Sequence, residues 1–166
     1  MIILGIDPGY AIVGAGVVDY TANRFRLLEA TAITTRAGEP FAARLGAIFD
    51  GVMALLEKHR PAAMAIEKLY FNTNTTTAID VAQARGVILL AAQRQGAPVF
   101  EYTPLQVKQS VVGYGRAEKH QVQDMTRLLL RLSACPKPDD VADALAIAIC
   151  HAHAAGSLQG RLGVDS

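Results

Sequence analysis

The stretch ILGIDPGYAIVGAGVVD, residues 3–19, reads as two apolar runs joined at a Pro8-Gly9 turn, with one carboxylate, Asp7, at the tip of the first run. Apolar and β-branched residues at 2–7 and again at 11–19 have the composition of buried strands, and the Pro-Gly break marks the reversal between them. A third strand is expected from Arg24 to Thr31, after the Thr21-Ala22-Asn23 turn. Three strands joined by turns this short favour an antiparallel meander. Gly14-Ala15-Gly16 opens like a dinucleotide fingerprint. Asp19 stands where the third glycine would fall, however, and strand-like residues follow, so that reading is rejected.

Beyond the meander the period changes. Phe41, Leu45, Ile48, Phe49, Val52, Leu55 and Leu56 recur at helical spacing until His59-Arg60-Pro61. A short apolar run, AAMAIEK at 62–68, ends in Glu67 and gives way to the polar stretch LYFNTNTTT. Residues 76–95 read as a second helix and PVFEYT at 98–103 as a fifth strand. From Pro104 to about His153 the chain reads as helices interrupted at Gly113-Tyr114-Gly115 and at Cys135-Pro136-Lys137-Pro138. Strands that arrive through helical crossovers lie parallel to a neighbour already in the sheet. The expected fold class is therefore α/β, a five-stranded mixed sheet with an antiparallel meander and parallel strands, flanked by helices on both faces.

With 166 residues, 51% of them hydrophobic, and a formal net charge of +1, the chain suits a single domain over residues 1–156, with 157–166 expected as a flexible tail. It shows no secretory leader and no run of about 18 apolar residues, so a cytoplasmic location and no membrane association are expected. Cys135 and Cys150 lack metal-ligand spacing and are expected as reduced thiols.

The topology carries the first chemical signal. If the fourth strand docks parallel beside the first, Asp7 and Glu67 end at the same edge of the sheet. Like charges brought together there raise each other's pKa unless a cation or a proton intervenes. The second signal is KPDDVADALAIAICHAH at 137–153, a small-residue helix able to approach a sheet closely. Asp140 and Asp143 lie three residues apart, which puts their Cβ atoms roughly 5–6 Å apart on one helix face. Asp139 and Asp140 also read as charge complementing a helix N-terminus. Asp143 instead leads into an apolar stretch where an unpaired carboxylate is costly. Four carboxylates suit hard divalent ions, and two ions about 3.5–4 Å apart can drive phosphodiester cleavage.

GIDPG around Asp7, AIEKLYF around Glu67, QARGV at 83–87, VFEYTPLQVKQSVVGYGRAEKHQV at 99–122 and DDVADALAIAICHAH at 139–153 occur in that order along nearly the whole chain. In these motifs the sequence resembles the RuvC family, bacterial Holliday junction resolvases with a ribonuclease H-like fold. The resemblance implies a catalytic tetrad of Asp7, Glu67, Asp140 and Asp143 binding Mg²⁺, with Mn²⁺ able to substitute and two ions per site. Asp140 is preferred to Asp139 because the family places its two late ligands at i and i+3, which leaves Asp139 as the helix cap. A homodimer nicking a four-way DNA junction at paired symmetric positions in recombination and repair is implied as well, as is cooperation with the branch-migration proteins RuvA and RuvB. The alternatives weighed are another ribonuclease H-like nuclease, an ATP-binding domain of the actin and sugar-kinase type, and a non-catalytic junction binder.

Positive charge is concentrated between Pro104 and Lys137, where Lys108, Arg116, Lys119, Arg127, Arg131 and Lys137 face only Glu118 and Asp124. That segment is a candidate phosphate-binding surface. Lys108 and Lys119 match family segments whose lysines contact DNA, and Arg116 lies between them. Tyr70 and Phe71 follow the Glu67 ligand and are candidates to meet an unpaired base at the junction centre, Tyr70 by stacking and Phe71 by packing beneath it. His151-Ala152-His153 is read as ordinary helix-end chemistry and not as a metal site.

Overall fold

The computed structural model describes the chain over residues 1–69 and 75–162, with side chains described over 1–69 and 77–156. The candidate aromatics Tyr70 and Phe71, and the side chains of the expected tail, lie outside the described residues. The elements run β1 (Ile2–Asp7), β2 (Ile12–Thr21), β3 (Arg24–Thr34), α1 (Phe41–His59), β4 (Ala63–Glu67), α2 (Thr75–Arg94), β5 (Val99–Tyr102), α3 (Pro104–Val112), α4 (Lys119–Leu129) and α5 (Asp139–Leu162). They form the expected five-stranded mixed sheet, in the order β3-β2-β1-β4-β5. The first three strands are antiparallel, whereas β4 pairs parallel with β1 and β5 parallel with β4.

Most boundaries differ from the sequence reading by a residue or two, and two of the differences need an account. Strand β3 continues to Thr34, because it pairs along β2 as far as Ile12↔Thr34, and a register shift at Val17/Val18 absorbs the mismatch in length. Asp139 is the first residue of α5, so it is not the residue before the helix. Its carboxylate pairs with Lys137 at 2.6 Å.

Alternation along the strands splits the core into two layers. Leu4, Ile6, Val13, Ala15, Val17, Met64 and Ile66 face α1 and α2, and Ile48, Val52, Leu56 and Ile88 pack against them. Ile3, Val18 and Ala65 face the other way, where Leu145, Ala148 and Ile149 of α5 cover them and α3 and α4 close the outside. Helix α5 is buried nearly all round from Val141 to Ala152. Small residues make that possible, since Ala142, Ala144, Ala146 and Ala148 let its backbone sit close to the strands.

The sheet answers with glycine. Gly5 of β1 pairs with Gly16 of β2, and Asp7 pairs with Gly14. A Cβ at Gly5 would stand 2.0 Å from the Ala144 carbonyl oxygen, and one at Gly14 would stand 1.9 Å from that of Asp140. The Gly14-Ala15-Gly16 run is thus a seat for a helix, a use that the nucleotide fingerprint reading does not include.

Gly14→Ala should destabilise the protein by about 1–3 kcal/mol in denaturant unfolding, because the backbone of α5 has to move. Gly46→Ala is the control, since no atom lies near its missing side chain on α1. It should be neutral or stabilise by roughly 0.5–1 kcal/mol; equal effects of the two substitutions would contradict the glycine seat.

Candidate active site

Strand period alone aims the first two acids. Asp7 shares its face of β1 with Ile3 and Gly5, Glu67 shares its face of β4 with Ala65, and β1 and β4 are in register at Ile6↔Ile66. Both carboxylates therefore leave the same sheet edge on the α5 side. Helix α5 starts directly over that edge, with Asp140 resting on Gly14, the cross-strand partner of Asp7. Asp143 follows one turn later on the same face. Asp139 pairs with Lys137 at 2.6 Å and lies 3.9 Å from Lys119, and of the two adjacent aspartates it is Asp140 whose charge raises the Asp7 pKa.

The turn after Asp7 is held in place by a clasp absent from the sequence reading. Thr35 Oγ1 donates to the Tyr10 carbonyl at 2.8 Å, and Arg44 Nε donates to Thr35 Oγ1 at 2.8 Å. The Arg44 guanidinium lies 3.5 Å from the centre of the Tyr10 ring, in a cation–π contact. A buried arginine on α1 thereby pins the Pro8-Gly9 turn against the helix layer. The sequence signal was available as one charge, Arg44, inside an otherwise apolar helix stripe.

Two capping boxes place the basic residues. Thr103 caps α3, its Oγ1 accepting from the Gln106 backbone N–H while Gln106 Oε1 accepts from the Thr103 backbone N–H, so α3 begins at once after β5 and carries Lys108 beside the acids. Glu118 and Gln121 do the same for α4 and fix Lys119 as its first residue. A cavity of about 290 Å³ is lined by Glu67, Lys108, Lys119 and Asp143, with Val107 and Ile147 as its floor. Arg116 is exposed on the turn between α3 and α4.

Burial dominates the electrostatics. Loss of solvent, reinforced by Glu67, Asp143 and Asp140, pushes the Asp7 carboxyl up to about 8. Burial raises Glu67 too, and Asp143 adds to the shift. The opposing charge is one ammonium: Lys119 Nζ lies 2.8 Å from Asp143 Oδ2 and lowers the pKa of both Asp7 and Glu67. Sequence reading put Lys119 on a DNA surface, and the structure puts it among the acids. Among the described residues no three His, Cys, Asp or Glu side chains are closed around a point as a ready-made metal cage. The donor set nevertheless fits a hard divalent ion, since it is all oxygen and burial raises two of its carboxyls, Asp7 and Glu67, beside further acids. The two histidines of α5 are occupied otherwise, His151 Nδ1 with the Tyr102 hydroxyl at 2.8 Å and His153 Nδ1 with Ser110 Oγ at 3.1 Å.

These shifts set a pH dependence. A carboxyl whose folded pKa is raised contributes stability that is complete below its unfolded value and lost as the pH rises through the folded one. In chelator, the melting temperature of the wild type should therefore fall between the ordinary value of 3.8 and about 8. Asp7→Asn should escape that loss and melt higher than the wild type above pH 8 by roughly 5 °C, with the difference vanishing at acid pH. Identical melting profiles would show that Asp7 is not strained by its neighbours.

Comparison with known proteins agrees with the geometry. A family model described as "Crossover junction endodeoxyribonuclease RuvC" matches residues 3–151. The protein of that name from Brevibacillus brevis is 61% identical over 152 residues, 92% of each chain. The solved structure of Thermus thermophilus RuvC superposes with a TM-score of 0.89 at 41% identity, covering 95% of this chain and 96% of that one. A second structure, of T. thermophilus RuvC in complex with Holliday junction substrate, gives a TM-score of 0.89 at 42% identity, with 93% and 94% covered. The five-stranded mixed sheet with helices on both faces is accordingly of the ribonuclease H-like kind. All four acids fall inside the matched segment, and the chain belongs to the RuvC family.

Proposed function

We propose that this protein is a structure-selective endonuclease that resolves four-way DNA junctions by paired symmetric nicks. The observation that carries the proposal is the convergence of Asp7, Glu67, Asp140 and Asp143 from two strand ends and one helix in a member of the RuvC family. The ATP-binding, other-nuclease and non-catalytic readings are not favoured, because the family match runs from residue 3 to residue 151 and includes every acid.

Asp7, Glu67, Asp140 and Asp143 would hold Mg²⁺, with Mn²⁺ able to substitute and two ions per site. When bound, such ions activate water and stabilise the leaving oxygen of a phosphodiester. The chain's own residues do the rest. Three of the carboxylates belong to a parallel strand pair or to the buried stretch of a helix, which keeps their spacing stiff. Lys108 and Lys119, on the cavity wall, bring positive charge to the sugar-phosphate backbone beside the acids, and exposed Arg116 extends it. Tyr70 would stack on a base at the crossover with Phe71 packing beneath it. Two copies related by a two-fold axis would match the approximate two-fold symmetry of the junction. A homodimer is therefore part of the proposal, together with the RuvA and RuvB branch-migration proteins as partners.

Nick mapping on every strand of a mobile synthetic four-way junction tests this reading. With Mg²⁺ or Mn²⁺, symmetric nicks on two strands of like polarity are expected, and with chelator none. Asp7→Asn should lower cleavage by more than about a hundredfold while leaving junction binding close to wild type. Efficient cleavage of linear duplex, or full cleavage by Asp7→Asn, would overturn the proposal.

Lys108→Ala should weaken junction binding at every sequence alike. The slope of log affinity against log salt should shrink by about 0.9 for each phosphate that the variant no longer neutralises. An unchanged slope in filter-binding or anisotropy titrations would remove Lys108 from the DNA surface.

A further inference from the structure

Lys119 is misplaced by the local rules of its own helix. It is the first residue of α4, where the positive end of the helix dipole disfavours a cation, and the one carboxylate at that helix start, Glu118 at the N-cap, is engaged by the backbone of its own capping box and by His120. The compensation comes from another element. Lys119 Nζ lies 2.8 Å from Asp143 Oδ2 and 3.9 Å from Asp139 Oδ2, across the interface between α4 and α5. Asp139 already has Lys137 at 2.6 Å, whereas Asp143 has Lys119 as its ion-pair partner among the described residues. The same side chain is 57% exposed and lines the cavity with Glu67, Lys108 and Asp143.

We propose that Lys119 is a stand-in cation, seated on Asp143 when no divalent ion is held and displaced when one binds, which frees it for a DNA phosphate. The inference rests on the reading that these acids hold metal. The two cations compete for Asp143, because an ammonium 2.8 Å from its Oδ2 and a divalent ion held by the same carboxylate would repel each other. A long, flexible side chain on a helix start can swing between the acids and the open side of the cavity without moving the backbone. Ion and DNA then favour the same state, with Lys119 off Asp143, so each strengthens the binding of the other. The device also accounts for a burial problem, since without it Asp143 would have no ion-pair partner among the described residues.

Calorimetric titration of Mg²⁺ into the metal-free protein at about pH 8.5, where the carboxyls are ionised, tests this. Lys119→Met should bind Mg²⁺ about tenfold more tightly than the wild type, and Lys119→Arg, which keeps a cation, should resemble the wild type. In chelator, Lys119→Met should melt below the wild type, and Mg²⁺ should abolish that difference. Mg²⁺ affinity in Lys119→Met equal to or weaker than wild type overturns the inference. If Lys119→Met does not fold, ammonium-selective ¹⁵N NMR of the wild type decides: Mg²⁺ should shift the Lys119 Nζ resonance, and an unmoved resonance during saturable Mg²⁺ binding overturns it. Absence of Mg²⁺ binding in wild type and variants alike would instead overturn the metal-site reading itself, and the inference with it.

Discussion

The close approach of α5 to the β1–β2 hairpin is the constraint on which the site depends. Side chains are removed from the sheet where the helix lands, at Gly5 and Gly14, and the helix meets it with alanines. Any bulk between them would lift Asp140 and Asp143 away from Asp7. Chain economy explains the pairing: one cross-strand partner of the hairpin supplies the acid and the other supplies the space for the helix that brings its companions. Parallel docking of β4 on β1 then adds Glu67 without any further element.

This arrangement stores electrostatic tension in a rigid frame. Asp7 and Glu67 are both shifted upward mainly by burial, and the carboxylates around them add to the shift. Such groups cluster where a protein prepares for a ligand of opposite charge. The frame resists relaxation because the turn after Asp7 is clasped by Arg44 and Thr35, and because Leu145, Ile147 and Ile149 anchor α5 in the core. The Lys119 side chain is exposed, while its helix start is fixed by the Glu118–Gln121 capping box.

Much of this was legible in the sequence, for particular reasons. Change of period after the meander separated strands from helices, and the crossover rule put Asp7 and Glu67 at one edge. The i, i+3 spacing of Asp140 and Asp143 gave their common face. Other features depended on contacts between distant segments and so left little local trace. The extension of β3 to Thr34 follows from its pairing with β2. Lys119 looked like one basic residue in a basic segment, and its partnership with Asp143 needed the packing of α4 on α5. Gly14 was visible as a glycine but meaningful only once the helix above it was placed.

The proposed function requires the four acids to seat divalent ions together. Crystals soaked in Mn²⁺ and measured at a wavelength where manganese scatters anomalously put that requirement to the test. Anomalous density is expected among Asp7, Glu67, Asp140 and Asp143, with the Lys119 ammonium withdrawn from Asp143. Ordered manganese elsewhere, with these carboxylates unligated and Lys119 still in place, would contradict it.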